Sequence, residues 1–266
     1  MSYTTLAFEV KDSVAMVTLN RPEVLNAINR QMQDELEAAL GQALEQGARV
    51  VVLTGAGRGF CSGADVTNMA PAQSRRGHPL AQDPVRQVRK PLGWPALRLH
   101  RFPKPTIAAV NGVAAGAGLS LAMACDLRIA GESARFSSIF VRRALAPDYG
   151  CTYLLPRLVG MEKALEMMYT GDIIDAQEAL RIGLVGRVVP DSELMSTAIG
   201  LAERLAQGPP ITIELIKRVA YRSLANTLED QMLLESQAQA VAQETEDYRE
   251  GVRSFLEKRP PQFKGR

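Results

Sequence analysis

The chain has 266 residues, 46% of them hydrophobic, and its 31 basic and 29 acidic side chains leave a formal net charge of +2. That length and composition can bury a sizeable core without covalent staples, as one large unit or two small ones, and the near balance of charge offers no broad field for nucleic acid or an anionic membrane. Three cysteines without CxxC spacing (Cys61, Cys125, Cys151) and only two histidines, His78 and His100, argue against a disulfide framework, a metal cluster or a histidine-based nucleophile. No apolar run approaches the ~20 residues of a membrane span, and the first residues lack a basic then apolar leader, so a soluble cytoplasmic protein is expected.

"TTLAFEV" and "VAMVTLN", separated by "KDS", read as a strand pair around a polar turn. In the segment that follows, Asn26 is placed to cap a helix whose apolar stripe is Ile28, Met32, Leu36, Leu40 and Leu44, with Gly47 as its stop. "ARVVVLTG" is a continuous apolar run, the pattern of a strand buried on both faces, and the glycine-rich "AGRGFCSGAD" comes at its end. From Met69 to Trp94 periodicity dissolves into a surface segment with several arginines. "KPTIAAVNG" and "DLRIAG" are further strands either side of "NGVAAGAGLSLAMACD", and "DAQEALRIGLVGRVVP" gives an Asp175-capped helix, a Gly183 stop and a strand. The repeated order of strand, glycine turn, helix and strand predicts an α/β layered core. Beyond Pro190 the pattern is helical to Lys258, broken at "QGPPIT" and near Asn226, with enough leucine to require a surface to cover, for which a neighbouring subunit is the candidate.

Two glycine-rich turns thus follow two buried strands. The first is an incomplete dinucleotide fingerprint, with Phe60 at the third glycine position, and no GxxxxGKS/T motif occurs. What remains is backbone N–H groups and carboxylates, which suits chemistry that builds negative charge on a carbonyl oxygen. The same small residues also serve close helix–sheet packing.

"NRPEVLNAIN", "GRGFCSGADV", "PTIAAVNGVAAGAGLSLAMACDLRIA", "PDYGCTYLLPRLVG" and "ALRIGLVGRVV", in this order across nearly the whole chain, resemble the signatures of the crotonase (enoyl-CoA hydratase/isomerase) superfamily. The resemblance implies a spiral of ββα units over residues 1–191 and a C-terminal helical region, residues 192–266, that builds homotrimers, often paired into hexamers. It implies an acyl-CoA thioester as substrate, with coenzyme A part of that substrate and no separate cofactor or metal. It also implies an oxyanion hole from the N–H groups of Ala64 and Ala117.

Hydratases of this family use two glutamates, and ungapped alignment on "AGAG" and "ACD" puts Ser120 and Phe140 at their positions. Ser120 is left to position a water or a polar substrate group, and Phe140 to shape an acyl pocket. Asp148, in the otherwise apolar "ALAPDYGC", resembles the single acid of family isomerases, most closely the 1,2-epoxyphenylacetyl-CoA and enoyl-CoA isomerase subgroup. One carboxylate suffices to move a proton between carbons, and burial is expected to raise its pKa; as a residue after proline, Asp148 also suits a turn. By resemblance, main-chain groups of Val24 and Leu25 meet pantetheine, Ser62 and Asp65 lie near adenine, and Phe263 and Lys264 reach a neighbouring subunit's CoA. Asp65 is equally placed to cap a following helix. Among Arg75, Arg76, Arg86, Arg89 and Lys90, one or two are candidates for the CoA phosphates, and Met69, Leu80, Trp94, Leu97 and Phe136 for acyl lining. Two other readings stay open: a hydratase or thioester hydrolase with a water held by Ser120 and Asp148, and a noncatalytic acyl-CoA or RNA-binding relative.

Overall fold

The computed structural model describes residues 3–65 and 93–266. Strands β1 (Leu6–Lys11) and β2 (Val14–Leu19) form an antiparallel hairpin, turning through Asp12 and Ser13 at positive φ. A 3₁₀ turn, Pro22–Val24, leads to helix α1 (Arg30–Glu45), where the expectation for Asn26 is corrected: Asn29 Oδ1 accepts the Met32 N–H at 2.8 Å and caps the helix. Asn26 is instead fully buried at a loop corner. Met32, Leu36 and Leu40 face the core as the stripe requires, whereas Leu44 is exposed near the last turn and Gly47 follows at φ 74°.

Three units then repeat. β3 (Val50–Gly55) runs into β4 (Gly59–Cys61), β5 (Thr106–Val110) into β6 (Val113–Ala115), and β7 (Leu127–Gly131) into β8 (Arg135–Ser137). Each pair gives one strand to each of two sheets, ordered β1-β2-β3-β5-β7-β10 and β4-β6-β8-β9, where β9 is Ile174–Asp175 and β10 Arg187–Val189. The large sheet is parallel from β2 onward. Helices α2 (Trp94–His100) and α3 (Ala117–Ala124) lie within this spiral. α4 (Cys151–Val159), α5 (Met161–Thr170) and α6 (Ala176–Arg181) follow it.

The continuous apolar run of β3 is explained by burial on both faces. Val51 and Leu53 join the main core between the layers; Val50 and Val52 pack outward against Leu194, Ala198 and Ala202 of α7 (Leu194–Ala206). Beyond α7 come α8 (Pro210–Arg222), α9 (Leu228–Gln243) and α10 (Glu246–Glu257). The leucines of this region divide accordingly: Leu194 is buried on the sheet, while Leu228, Leu233, Phe255 and Leu256 are exposed. Among the described residues no helix is long and apolar enough to cross a membrane.

Candidate functional site

The site forms where β3 and β5 end. At the first corner, Arg21 to Ile28 and Cys61 to Asp65 are zipped together: the Ser62 N–H donates to Leu25 O at 2.9 Å, Ser62 Oγ to Val24 O at 3.1 Å, and Ile28 N–H to Gly63 O at 2.8 Å. Asp65 N–H donates to Ile28 O at 2.9 Å, and the Arg21 guanidinium bonds Ala27 O at 2.6 Å and the Asp65 carboxylate at 2.8 Å. Val24, Leu25, Ser62 and Asp65, four residues singled out in the sequence, therefore share one corner. Leu25 and Asn26 both hold left-handed φ, 51° and 58°.

Ile28 and Ala64 form a parallel bridge in which Ile28 is bonded to the residues on either side of Ala64. That alternation turns the Ala64 N–H away from Ile28. No backbone partner receives it among the described residues.

At the second corner Gly116 adopts φ 53° and ψ −123°, a conformation open essentially to glycine, and Ala117 begins α3 with one of the N–H groups that a helix leaves unpaired. The two corners touch at the backbone. A Cβ added to Gly63 would sit 2.9 Å from Ala115 O and 3.6 Å from Ala117 N, and one added to Gly118 would run into the Cys61 carbonyl. Small residues here let the start of α3 lie directly on the loop that carries Ala64. Two N–H groups so placed, that of Ala117 at a helix N-terminus, suit a carbonyl oxygen that gains negative charge.

Around the first turn of α3 stand the other three candidates. Phe140 is buried, its ring 3.8 Å from where a Gly116 side chain would begin. Ser120 is fully buried and its hydroxyl lies 3.3 Å from Gly116 O and 3.2 Å from the main-chain carbonyl of Asp148. That carbonyl also accepts the Cys151 N–H at 3.0 Å, so Ser120 ties the Asp148 loop to α3. The hydroxyl therefore faces the same loop that carries the Asp148 carboxyl.

The Asp148 side chain takes no part in this tie. Its Oδ1 is buried with no hydrogen-bond partner among the described residues. Burial raises its pKa, opposed in part by a hydrogen bond from its own N–H. The next residue, Tyr149, is buried at φ 53°, and burial followed by the nearby Asp148 and Cys61 raises its phenol. The thiols are inert by comparison: burial pushes Cys61 and Cys125 up to about 12 and Cys151 upward, and all three are free.

Phe263 and Lys264 lie elsewhere. Phe263 O accepts from Arg49, just before β3, and the Lys264 N–H donates to Asp247 at 2.6 Å. The site occupies the far end of β3, roughly 20 Å away for a six-residue strand at about 3.3 Å per residue. Within one chain these residues are remote from Ala64 and Ala117. Leu97 lines a cavity next to the Asp148 loop, Trp94 is half-buried nearby, and Phe136 belongs to the core. Met69, Leu80, Arg75, Arg76, Arg86, Arg89 and Lys90, with His78, lie outside the described residues.

Three residues that build the site escaped the sequence reading. Asn26 donates to Ala56 O at 3.0 Å and Gly59 O at 2.8 Å and accepts the Arg21 N–H at 2.9 Å. Asn111 bonds the main chain of Gly55 and Gly57 from the next unit, and Arg21 braces Asp65. The available signal was polar side chains just beyond strand ends, in "LNRPEVLNAI" and "AVNG".

Residues 9–266 match the enoyl-CoA hydratase/isomerase family. A Rhodobacter capsulatus protein named "Probable enoyl-CoA hydratase" is 43% identical, with all of both chains aligned. The 1,2-epoxyphenylacetyl-CoA isomerase of Escherichia coli is 42% identical over 97% of each chain. The crystal structure of an enoyl-CoA hydratase from Bacillus anthracis superposes with a TM-score of 0.88 at 36% identity, covering 99% of this chain and 100% of the other. The two-sheet spiral, the paired glycine corners and these matches agree: the chain belongs to the enoyl-CoA hydratase/isomerase family.

Proposed function

We propose that the protein is an acyl-CoA isomerase that moves a double bond, or opens a ring epoxide, through a thioester enolate. The thioester oxygen accepts the N–H groups of Ala64 and Ala117, which lowers the cost of removing a proton at the α-carbon. Asp148 takes that proton and returns it at another carbon, ending ionised as it began. The observation that carries this reading is the Asp148 carboxyl itself, with a buried oxygen left unpartnered and a raised pKa, while Ser120 and Phe140, which ungapped alignment puts at the hydratase glutamate positions, are both buried and carry no carboxylate. Val24, Leu25, Ser62 and Asp65 border the CoA on the same chain. Phe263 and Lys264 serve a neighbouring subunit in a homotrimer held through the exposed apolar side chains of α9 and α10, where Leu228 is 71% and Phe255 82% exposed.

Hydration is the second reading, supported by a relative named as a hydratase at nearly the same identity as the isomerase. Product analysis separates the two. Incubated with 3-enoyl-, 2-enoyl- and ring-bearing thioesters, an isomerase returns product of unchanged mass with the bond relocated. Product heavier by one water favours hydration, free CoA favours hydrolysis, and tight binding without turnover favours a noncatalytic acyl-CoA protein.

A further inference from the structure

A cavity of about 910 Å³ lies between α2, the start of α4 and α8, and it is lined by Tyr149 and Gly150, the two residues after Asp148. The volume suits a bound organic group. Tyr149 joins the two: it lines the cavity and directly follows Asp148 in the chain. Its place is fixed, because a side chain on Gly93 would run into the Tyr149 main chain and reach its Cγ at 3.0 Å.

The lining is graded. Ala96, Leu97, Phe102 and Leu154 give an apolar stretch suited to methylenes. Beyond them His100 packs on Tyr221, ring centroids 4.3 Å apart, with its Nδ1 buried and unpartnered among the described residues. The acids here are already engaged: Asp126 takes Lys217 at 2.7 Å and the Tyr221 hydroxyl at 2.9 Å, and Glu214 takes Lys104 at 2.9 Å. Arg101, Arg218 and Arg222 also line the cavity, and none of the three has a carboxylate partner among the described residues. The balance at this end is therefore cationic.

We propose that this cavity receives the far end of the acyl group, and that its preferred substrate carries a second, terminal carboxylate, held by Arg218 and Arg222. This assignment rests on the acyl-CoA reading above. Arg218 and Arg222 are exposed, so a methyl terminus satisfies the apolar stretch and gains nothing from the guanidinium end, whereas a carboxylate meets donors matched to it.

The test is equilibrium binding of saturated, unreactive thioesters in matched pairs: hexanoyl- against adipyl-CoA, octanoyl- against suberyl-CoA, decanoyl- against sebacyl-CoA. The expected result is one chain length at which the diacid thioester binds about tenfold tighter than its partner, the scale of two partly exposed charge contacts. In the surface variant Arg218→Gln/Arg222→Gln this preference falls to within about twofold while octanoyl-CoA binding is unchanged. Equal binding within every pair, or a preference that survives in the variant, overturns the assignment and leaves the acyl-CoA reading intact. Failure of all six thioesters to bind overturns both.

Discussion

Gly118→Ala probes the contact between the two glycine corners. The added Cβ would lie 2.7 Å from the Cys61 carbonyl carbon and 2.8 Å from Cys61 Cβ, and on top of the carbonyl oxygen. Carbon atoms in contact sit at about 3.5–4.0 Å, so α3 must retreat from β4 by about 1 Å, since both clashing groups belong to buried backbone or to a buried side chain. Overpacking of this kind costs about 1–3 kcal/mol. The functional cost is larger, because Ala117, the residue before, moves with the helix, and a displacement of about 1 Å at a donor is worth about 100-fold in rate. Gly41→Ala is the control: Gly41 sits in α1 with open space around it, so alanine there adds up to about 1 kcal/mol of stability and leaves turnover alone. Steady-state kinetics on the preferred acyl-CoA, paired with urea unfolding, reads both effects. A folded Gly118→Ala protein whose kcat stays within about threefold of wild type refutes the claim that the two corners must touch to set the Ala117 donor.

Ser120→Ala removes the hydroxyl that lies against Asp148 O; about 1 kcal/mol of stability is lost, and kcat falls more than KM rises because the Asp148 loop, not the CoA contact, is loosened. Restoration of most of the rate by Ser120→Cys, seen in the same kinetics, separates tethering from simple packing. Asn26→Ala removes three hydrogen bonds at a buried corner and leaves a non-glycine residue at φ 58°, so urea unfolding is expected to show a loss of about 3 kcal/mol. Glu35 concerns acid stability. Burial raises its pKa, but hydrogen bonds from Thr5 and Thr4 outweigh it and hold the carboxyl at about 2, below its ordinary 4.5. A depressed carboxylate stabilises the fold above its unfolded pKa and loses that contribution as pH falls from about 4.5 toward about 2. Urea midpoints at pH 5 and pH 3 should therefore fall further in wild type than in Glu35→Gln.

How much of this was legible in the sequence depended on where each signal lives. The runs of β3 and β5 read correctly because burial on both faces leaves an unbroken apolar string, and α1 read correctly because its stripe repeats every turn. Asn26 misled because an asparagine before a helical stripe suits a cap, yet Asn29 fills that role; only the three-dimensional corner shows Asn26 satisfying Ala56 and Gly59. Ser120 has a contact that only the folded chain shows. Its position in the motif gives its place on α3, but its partner is a main-chain carbonyl 28 residues away, and no local pattern encodes that contact. Asp148 stood out as an acid in an apolar stretch, whereas the cationic cavity behind it did not, since α2, α4 and α8 contribute to it from three distant segments.

In the proposed reaction one carboxyl carries the proton. Deuterium exchange from heavy water into 3-enoyl- and 2-enoyl-CoA, followed by mass and double-bond position in wild type and Asp148→Asn, tests it most directly. Wild type is expected to show exchange with bond migration and no added water, and Asp148→Asn to lose both by at least about 1000-fold while thioester binding persists. Exchange that continues in the variant at a comparable rate would contradict it and place the proton on another group.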